Sequence, residues 1–242
     1  ASTGESLSIA DPNEVWFMEI IGKGEKQKGA VWVAVKLPDG TISGHANQPR
    51  VRQFPTNDPK NVVFARDVVS FAREKGWFTG KDEEFSFADA YSPLRGSTLR
   101  GCDARVWSVF RRAAPSLNLS SDWVLAVPGA KPLPLAVKPD RKLSTKDVME
   151  LMRDHFEGTE LDMTKDLGAG PFVLPYRWRP MGFKVDGVDY VNGRAISTQQ
   201  TGYSLVAQLR SFLPAPVGGV LWFGVDDKRL SLGRGETGAD AA

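Results

Sequence analysis

Residues 14–21 (EVWFMEII) and 30–37 (AVWVAVKL) are two runs in which Val, Ile, Trp, Phe and Met crowd successive positions. Runs so rich in β-branched and aromatic residues, apolar on both faces, predict strands of a sheet covered on two sides. The connector 22–29 carries three glycines and four charged residues and reads as a solvated hairpin tip. Its Gly22-Lys23-Gly24 is a poor phosphate loop, because no helix pattern follows it. The turn Pro38-Asp39-Gly40 leads to a short strand at 41–44, after which the chain breaks into His45-Ala46-Asn47-Gln48-Pro49-Arg50. A polar turn at the end of a buried strand is a rigid place on which to build a site. Asn47 offers an amide donor and acceptor there, and Pro49 stiffens the exit.

Further along, the pattern changes to helical spacing. Val62, Ala65, Val69 and Ala72 predict a helix over 61–75, stopped by Gly76. Residues 77–100 read as loop anchored by Trp77, Phe78, Phe85, Phe87 and Tyr91. Ala104, Trp107 and Phe110 predict a second helix over 103–114, ended by Pro115, with Arg105 near its first turn. Short strands and proline-broken loop fill 120–138. A third helix over 144–156 opens with Ser144 and Asp147 as a capping box and turns Val148, Leu151 and Met152 inward. Strands return at 194–200, 204–211 and 217–225. Strands at both ends of the chain, with helices between, point to stacked sheet and helix layers rather than alternating βαβ units. Residues 1–11 are small and polar, Asp11-Pro12-Asn13 is turn chemistry before the first strand, and 228–242 lacks a core pattern and reads as a disordered tail.

Composition narrows the function. At 41% hydrophobic and 25% charged, 242 residues suffice for a sizeable core without staples. A net charge of +2 gives no reason to expect a nucleic-acid or membrane-surface partner, and no apolar run is long enough for a spanning helix. The single cysteine, Cys102, excludes an internal disulfide and any multi-cysteine metal site. It stands before a helix, where a thiol can be acidified, but neither His45 nor His155 forms a Cys/His signature with it, and free cysteine more often packs as a small apolar residue. The oxygen-rich stretch 154–166 misses the EF-hand pattern and reads as polar loop rather than metal site. Around Tyr176-Arg177-Trp178-Arg179-Pro180, arginine and aromatic side chains could hold a carboxylate or simply pack a loop.

Several segments together resemble the cysteine dipeptidases of the N-terminal-nucleophile hydrolase superfamily, the PepD-like peptidases related to the secernins. They are Asp11-Pro12-Asn13-Glu14-Val15-Trp16-Phe17-Met18-Glu19-Ile20, His45-Ala46-Asn47-Gln48-Pro49-Arg50, Ala104-Arg105-Val106-Trp107-Ser108, Arg153-Asp154-His155-Phe156-Glu157-Gly158-Thr159 with Asp162 and Gly170-Pro171, and Gly218-Gly219-Val220-Leu221-Trp222-Phe223. The resemblance runs from about residue 6 to residue 227, which makes 1–227 one domain, incomplete at its N-terminal side, with 228–242 divergent. It implies an α+β fold, a four-layer αββα sandwich, and hydrolysis of dipeptides without a metal or other cofactor. In such enzymes a cysteine at the start of the mature chain attacks the peptide carbonyl. Its own α-amino group, which titrates near neutral pH, serves as base.

By that resemblance Asn47 corresponds to an asparagine placed near the tetrahedral intermediate, and Arg105 to an arginine beside the nucleophile. This chain begins with Ala1, so the family's nucleophile is expected upstream of it and the 242 residues alone are expected to be inactive. Two other readings stand beside this one: a non-catalytic, secernin-like structural or interaction protein on the same fold, and an unrelated thiol hydrolase with Cys102 as nucleophile. Compartment, oligomeric state and dipeptide preference are left open.

Overall fold

A computed structural model describes residues 4–11, 13–93, 97–177, 182–191, 193–225 and 234–237. The architecture is α+β, with strands at both ends and most helices between them. The strands β1 (Glu5–Ala10), β2 (Val15–Gly22) and β3 (Ala30–Lys36) form an antiparallel sheet, joined through β3 by the later β5 (Val62–Phe64) in the order β1-β2-β3-β5. The 22–29 connector is the expected hairpin, and its Gly24 and Gly29 take the positive φ that lets β2 and β3 turn back on each other. A two-residue strand β4 (Ile42–Ser43) leaves this sheet and pairs with the later β6 (Ala136–Val137).

Helices α1 (Val68–Glu74), α2 (Phe87–Tyr91), α3 (Ser97–Gly101), α4 (Asp103–Ala113) and α5 (Thr145–Met152) follow. Ser144 accepts from the Asp147 amide and Asp147 from the Ser144 amide, so the predicted capping box starts α5. The strands β7 (Gly182–Val185) and β8 (Val188–Val191) form a separate hairpin. Strand β9 (Tyr203–Leu209), the short α6 (Ala215–Gly218), β10 (Gly219–Val225) and β11 (Arg234–Thr237) close the chain, the three strands pairing in the order β11-β10-β9.

One core lies between the first sheet and α1 with α2. Phe17, Ile21, Val31, Val33 and Val62 of the sheet meet Val68, Phe71, Phe85 and Phe87. Alternation along β2 buries Phe17, Glu19 and Ile21 on one face, while Trp16, Met18 and Ile20 on the other are only half-buried, so one face rather than two is sealed. The second core surrounds α4. Ala104 and Trp107 pack with Val124, Phe156, Leu161 and Met163, while Val106 and Phe110 pack with Ala46, Ala114 and Val137. Helix α4 is thus buried on most of its circumference and serves as the axis of this half of the molecule.

Several readings change, and among them the helix expected over 144–156 ends at Met152 and the loop expected over 77–100 carries α2 and most of α3. The helix expected over 61–75 is a strand followed by a helix half that length, because Val62 and Phe64 complete the edge of β3. Residues 194–200 are irregular despite their strand-like composition; Ser197 N–H donates to the Asp154 carbonyl rather than to a ladder. Residues 5–10, read only as small and polar, form β1 by pairing along β2. Within the divergent tail, Arg234–Thr237 pairs with β10; 228–233 and 238–242 lie outside the described residues.

Candidate active site

The two residues singled out from the sequence meet in space. After β4 the chain passes Gly44 and His45, buries Ala46 against α4, and turns through Asn47 with φ +63°. This left-handed conformation is one that asparagine tolerates better than most residues. Arg105, one turn into α4, reaches the same loop. Its Nη2 donates to Asn47 Oδ1 at 2.7 Å and to the Ala46 carbonyl at 3.2 Å, while Nε donates to the Gly101 carbonyl at 3.1 Å. Because a guanidinium only donates, the Asn47 oxygen must face it, and the Nδ2 donors then point away from Arg105.

A cavity of about 380 Å³ opens beside Ala46 and Arg105, lined also by Ser43, Gly44, His45, Val148 and Ile196 among others. A wider cleft of about 730 Å³ shares the Ile42–His45 stretch with it and extends to Asp11, Phe17 and Leu209. The combination is an apolar floor from α5 with a few convergent polar groups from the 43–47 turn and α4, the usual make-up of a small-ligand site.

Electrostatically the site is positive. Burial and then the charge of Arg194 pull the Arg105 guanidinium down to about 10, so it remains charged at neutral pH. His45 packs edge-on against Phe17. Its pKa is lowered, first by partial burial and then by Arg50 and Arg105. Cys102 stands at the N-cap of α4 beside Arg105. Burial pushes its thiol up, and Arg105 opposes that only in part. The acidified thiol that a helix N-terminus could have produced is therefore not what the surroundings favour.

The other candidates fall elsewhere. His155 is fully buried, with Nδ1 3.1 Å from Glu157 Oε1 and its ring edge-on to Tyr176, apart from the Asn47–Arg105 pair. Carboxylate oxygens of the 154–166 stretch are engaged by donors of α4 and of the loop itself. Asp154 accepts from Ser108, Arg111, Arg112 and the Phe156 amide, and Asp162 from the Gly158 amide, the Thr164 amide and the Thr164 hydroxyl. Arg177 packs a loop rather than facing a ligand: it is buried, donating to Asp166 Oδ1 at 2.5 Å and to the Met163 carbonyl at 2.7 Å. Trp178, Arg179 and Pro180 lie outside the described residues.

Three groups escaped the sequence reading. Arg194 contributes its charge from an irregular segment expected as strand, and nothing in its neighbours signals that. His45 carried no partner motif. Glu19 was visible in principle: an acid at alternate spacing with Phe17 and Ile21 has to share their buried face.

No helix among the described residues is long and apolar enough to cross a membrane. Similarity to known proteins is extensive but remote. The chain is 27% identical over 224 residues to a probable dipeptidase of Latilactobacillus sakei, covering 93% of the chain and 41% of that protein. It is 28% identical over 232 residues to a probable dipeptidase of Salmonella dublin, covering 96% and 46%. To probable dipeptidase B of Streptococcus pyogenes serotype M1 it is 26% identical over 230 residues, covering 95% and 41%. The chain thus spans less than half the length of these relatives. The profile of peptidase family C69 matches residues 1–233, and the chain belongs to that family.

Proposed function

We propose that this chain is part of a dipeptidase that cleaves dipeptides by acyl transfer to a cysteine thiol, with Asn47 and Arg105 in the reacting site. The observation that carries the reading is the 2.7 Å bond to Asn47 Oδ1 from Nη2 of Arg105, a residue that lines the cavity. It orients a side-chain amide so that Nδ2 is available to donate to the oxyanion that forms when the carbonyl is attacked. Preorganised donors of this kind contribute about 3–4 kcal/mol to such reactions. Arg105 would act as the group that aims Asn47 and adds a fixed positive charge nearby. The relatives' names support dipeptides as the substrate class.

The nucleophile of this reading is a chain-terminal cysteine, whose α-amino group takes the thiol proton and returns it to the leaving amine. Cys102 does not fill that role, since its thiol is internal and burial raises its pKa. The four-layer sandwich belongs to the same proposal: the sheet β1-β2-β3-β5 and the sheet β11-β10-β9 would be its two inner layers.

The test uses the full-length gene product with a panel of free dipeptides. Asn47→Asp keeps the acceptor for Arg105 and the residue's tolerance of positive φ, but removes the donor. We expect kcat to fall about 100- to 1000-fold with KM little changed. Unchanged kcat would remove Asn47 from the chemistry. If the unaltered full-length protein hydrolyses no dipeptide, the non-catalytic, secernin-like reading takes its place.

A further inference from the structure

The loop that carries Asn47 is fastened at both ends by one buried charge system. Glu19 is fully buried on the inner face of β2. Its Oε1 accepts the Arg50 amide at 2.5 Å and its Oε2 accepts the Val51 amide at 2.9 Å, a two-oxygen clamp on successive backbone groups. The Arg50 side chain then reaches back to the start of the same loop, where Nη1 donates to the Gly44 carbonyl at 2.6 Å. Nη2 of the same guanidinium donates to the Pro134 carbonyl at 2.5 Å. Its Nε lies 3.7 Å from Asp103 Oδ1 at the start of α4, and the other oxygen of Asp103 accepts from Trp123 Nε1 at 2.7 Å. The segment 44–50 is thus a closed ring: Glu19 holds its exit, Arg50 ties exit to entry, and Arg105 holds Asn47 at its crest.

We infer that Glu19 is a positioning residue: as a carboxylate it clamps the Arg50 and Val51 amides and so keeps the Asn47 amide at a fixed place beside the cavity. The inference rests on the dipeptidase reading above and adds to it a residue that touches no substrate. A clamp is needed because a non-glycine residue at positive φ does not hold that conformation unaided. The device is also sensitive to protonation. Burial pushes the Glu19 carboxyl up to about 7, against the lowering effect of the two amides and of Arg50, with Asp103 adding to the rise. The charged groups facing it are Arg50 from the loop and Asp103 from α4. The flanking strands place Ser6 and Val33 opposite it, and neither titrates. A neutral carboxyl keeps one good acceptor oxygen, so one of the two amides loses its partner below neutrality.

Two experiments on the full-length protein test this. In the first, Glu19→Gln, Asn47→Asp and the double variant are assayed on free dipeptides. We expect Glu19→Gln to lower kcat about 10- to 100-fold, the range for a misplaced catalytic group, with KM little changed. The double variant should be no slower than Asn47→Asp alone, because Glu19 acts only through Asn47. Full activity of Glu19→Gln beside a crippled Asn47→Asp overturns the positioning role and spares the site reading, as do losses that multiply. Full activity of Asn47→Asp removes the site reading and the positioning role together. The second experiment needs no variant and guards against misfolding of Glu19→Gln. Amide exchange of Arg50 and Val51 is followed between pH 5.5 and 8.5 and corrected for intrinsic rates. Protection should fall about tenfold as pH drops through 7, the worth of one charge-assisted bond. Equal protection on both sides of pH 7 would overturn the clamp.

Discussion

Two buried carboxylates, Glu19 and Asp154, do similar work at the two sides of α4, and their surroundings differ in one respect. Each supports a loop that holds a non-glycine residue at positive φ: Asn47 at +63° above Glu19, and Phe156 at +65° beside Asp154. Each is essentially inaccessible to solvent. Asp154 accepts from the Ser108 hydroxyl at 2.6 Å, the Phe156 amide at 3.1 Å, Arg112 Nη1 at 3.1 Å and Arg111 Nη2 at 3.4 Å. Two cations therefore neutralise one carboxylate. Among the described residues Glu19 accepts only from backbone amides, while the guanidinium nearest to it spends its donors on carbonyls and faces Asp103. At Glu19 no such cation pair offsets burial, and its pKa rises to about 7. The first arrangement is an ion-paired anchor. The second sits beside the proposed reacting residues and changes state near neutrality.

Removing Asp154 should have the largest effect. Asp154→Ala leaves the Phe156 amide and Ser108 hydroxyl without their acceptor and strands two half-buried guanidinium groups. Breaking such a pair from one side costs about 3 kcal/mol. We expect that loss in urea unfolding, with the region around Phe156 first to open. A loss below about 1 kcal/mol would mean that the arginines bear their own solvation and that the two carboxylates are more alike than their partners suggest.

Next in size is the pH dependence of stability. The Glu19 carboxyl is raised from 4.5 to about 7 in the folded protein. Between those values the folded state keeps a proton that the unfolded chain has shed, so this group's contribution to stability declines as pH rises from about 4.5 to about 7 and is level above. Glu19→Gln cannot titrate and should remove that slope. Urea midpoints at pH 5, 6, 7 and 8 for both proteins measure it, and parallel curves would show that Glu19 is already ionised throughout.

The contrast also explains what the sequence made legible. β2, β3, α4 and the capped start of α5 were readable because their signals are local: alternation, helical spacing and a Ser144–Asp147 box. The β7–β8 hairpin was equally local, with Asp186-Gly187 between apolar residues at alternate positions, and was overlooked. β1 and β5 owe their strand state to pairing with β2 and β3, and their own residues do not declare it. Within the candidate site, Asn47 and Arg105 were reached through motifs, but the bond between them joins residues 58 apart and is a product of folding. Glu19 needed knowledge of which face of β2 turns inward. Arg194 acts from a segment whose composition argues for a strand it does not form.

The smallest expected effect sharpens the comparison most directly. Ser108 is fully buried within α4, where its hydroxyl donates to Asp154 Oδ2 at 2.6 Å and accepts from Arg111 Nε at 3.2 Å. It therefore couples the carboxylate to one of its two cations. Ser108→Ala deletes that coupling while both guanidinium groups stay in place, and alanine suits a helix interior slightly better than serine. A hydrogen bond to a charged group is worth about 1.5–3 kcal/mol, so the net loss after the helix gain should be about 1 kcal/mol. If Arg111 and Arg112 are what distinguishes Asp154 from Glu19, the Phe156 amide should stay as protected from exchange in Ser108→Ala as in the unaltered protein, because both guanidinium groups still hold the carboxylate. Loss of that protection would show that the hydroxyl rather than the two arginines fixes the carboxylate, and the distinction between Asp154 and Glu19 would collapse.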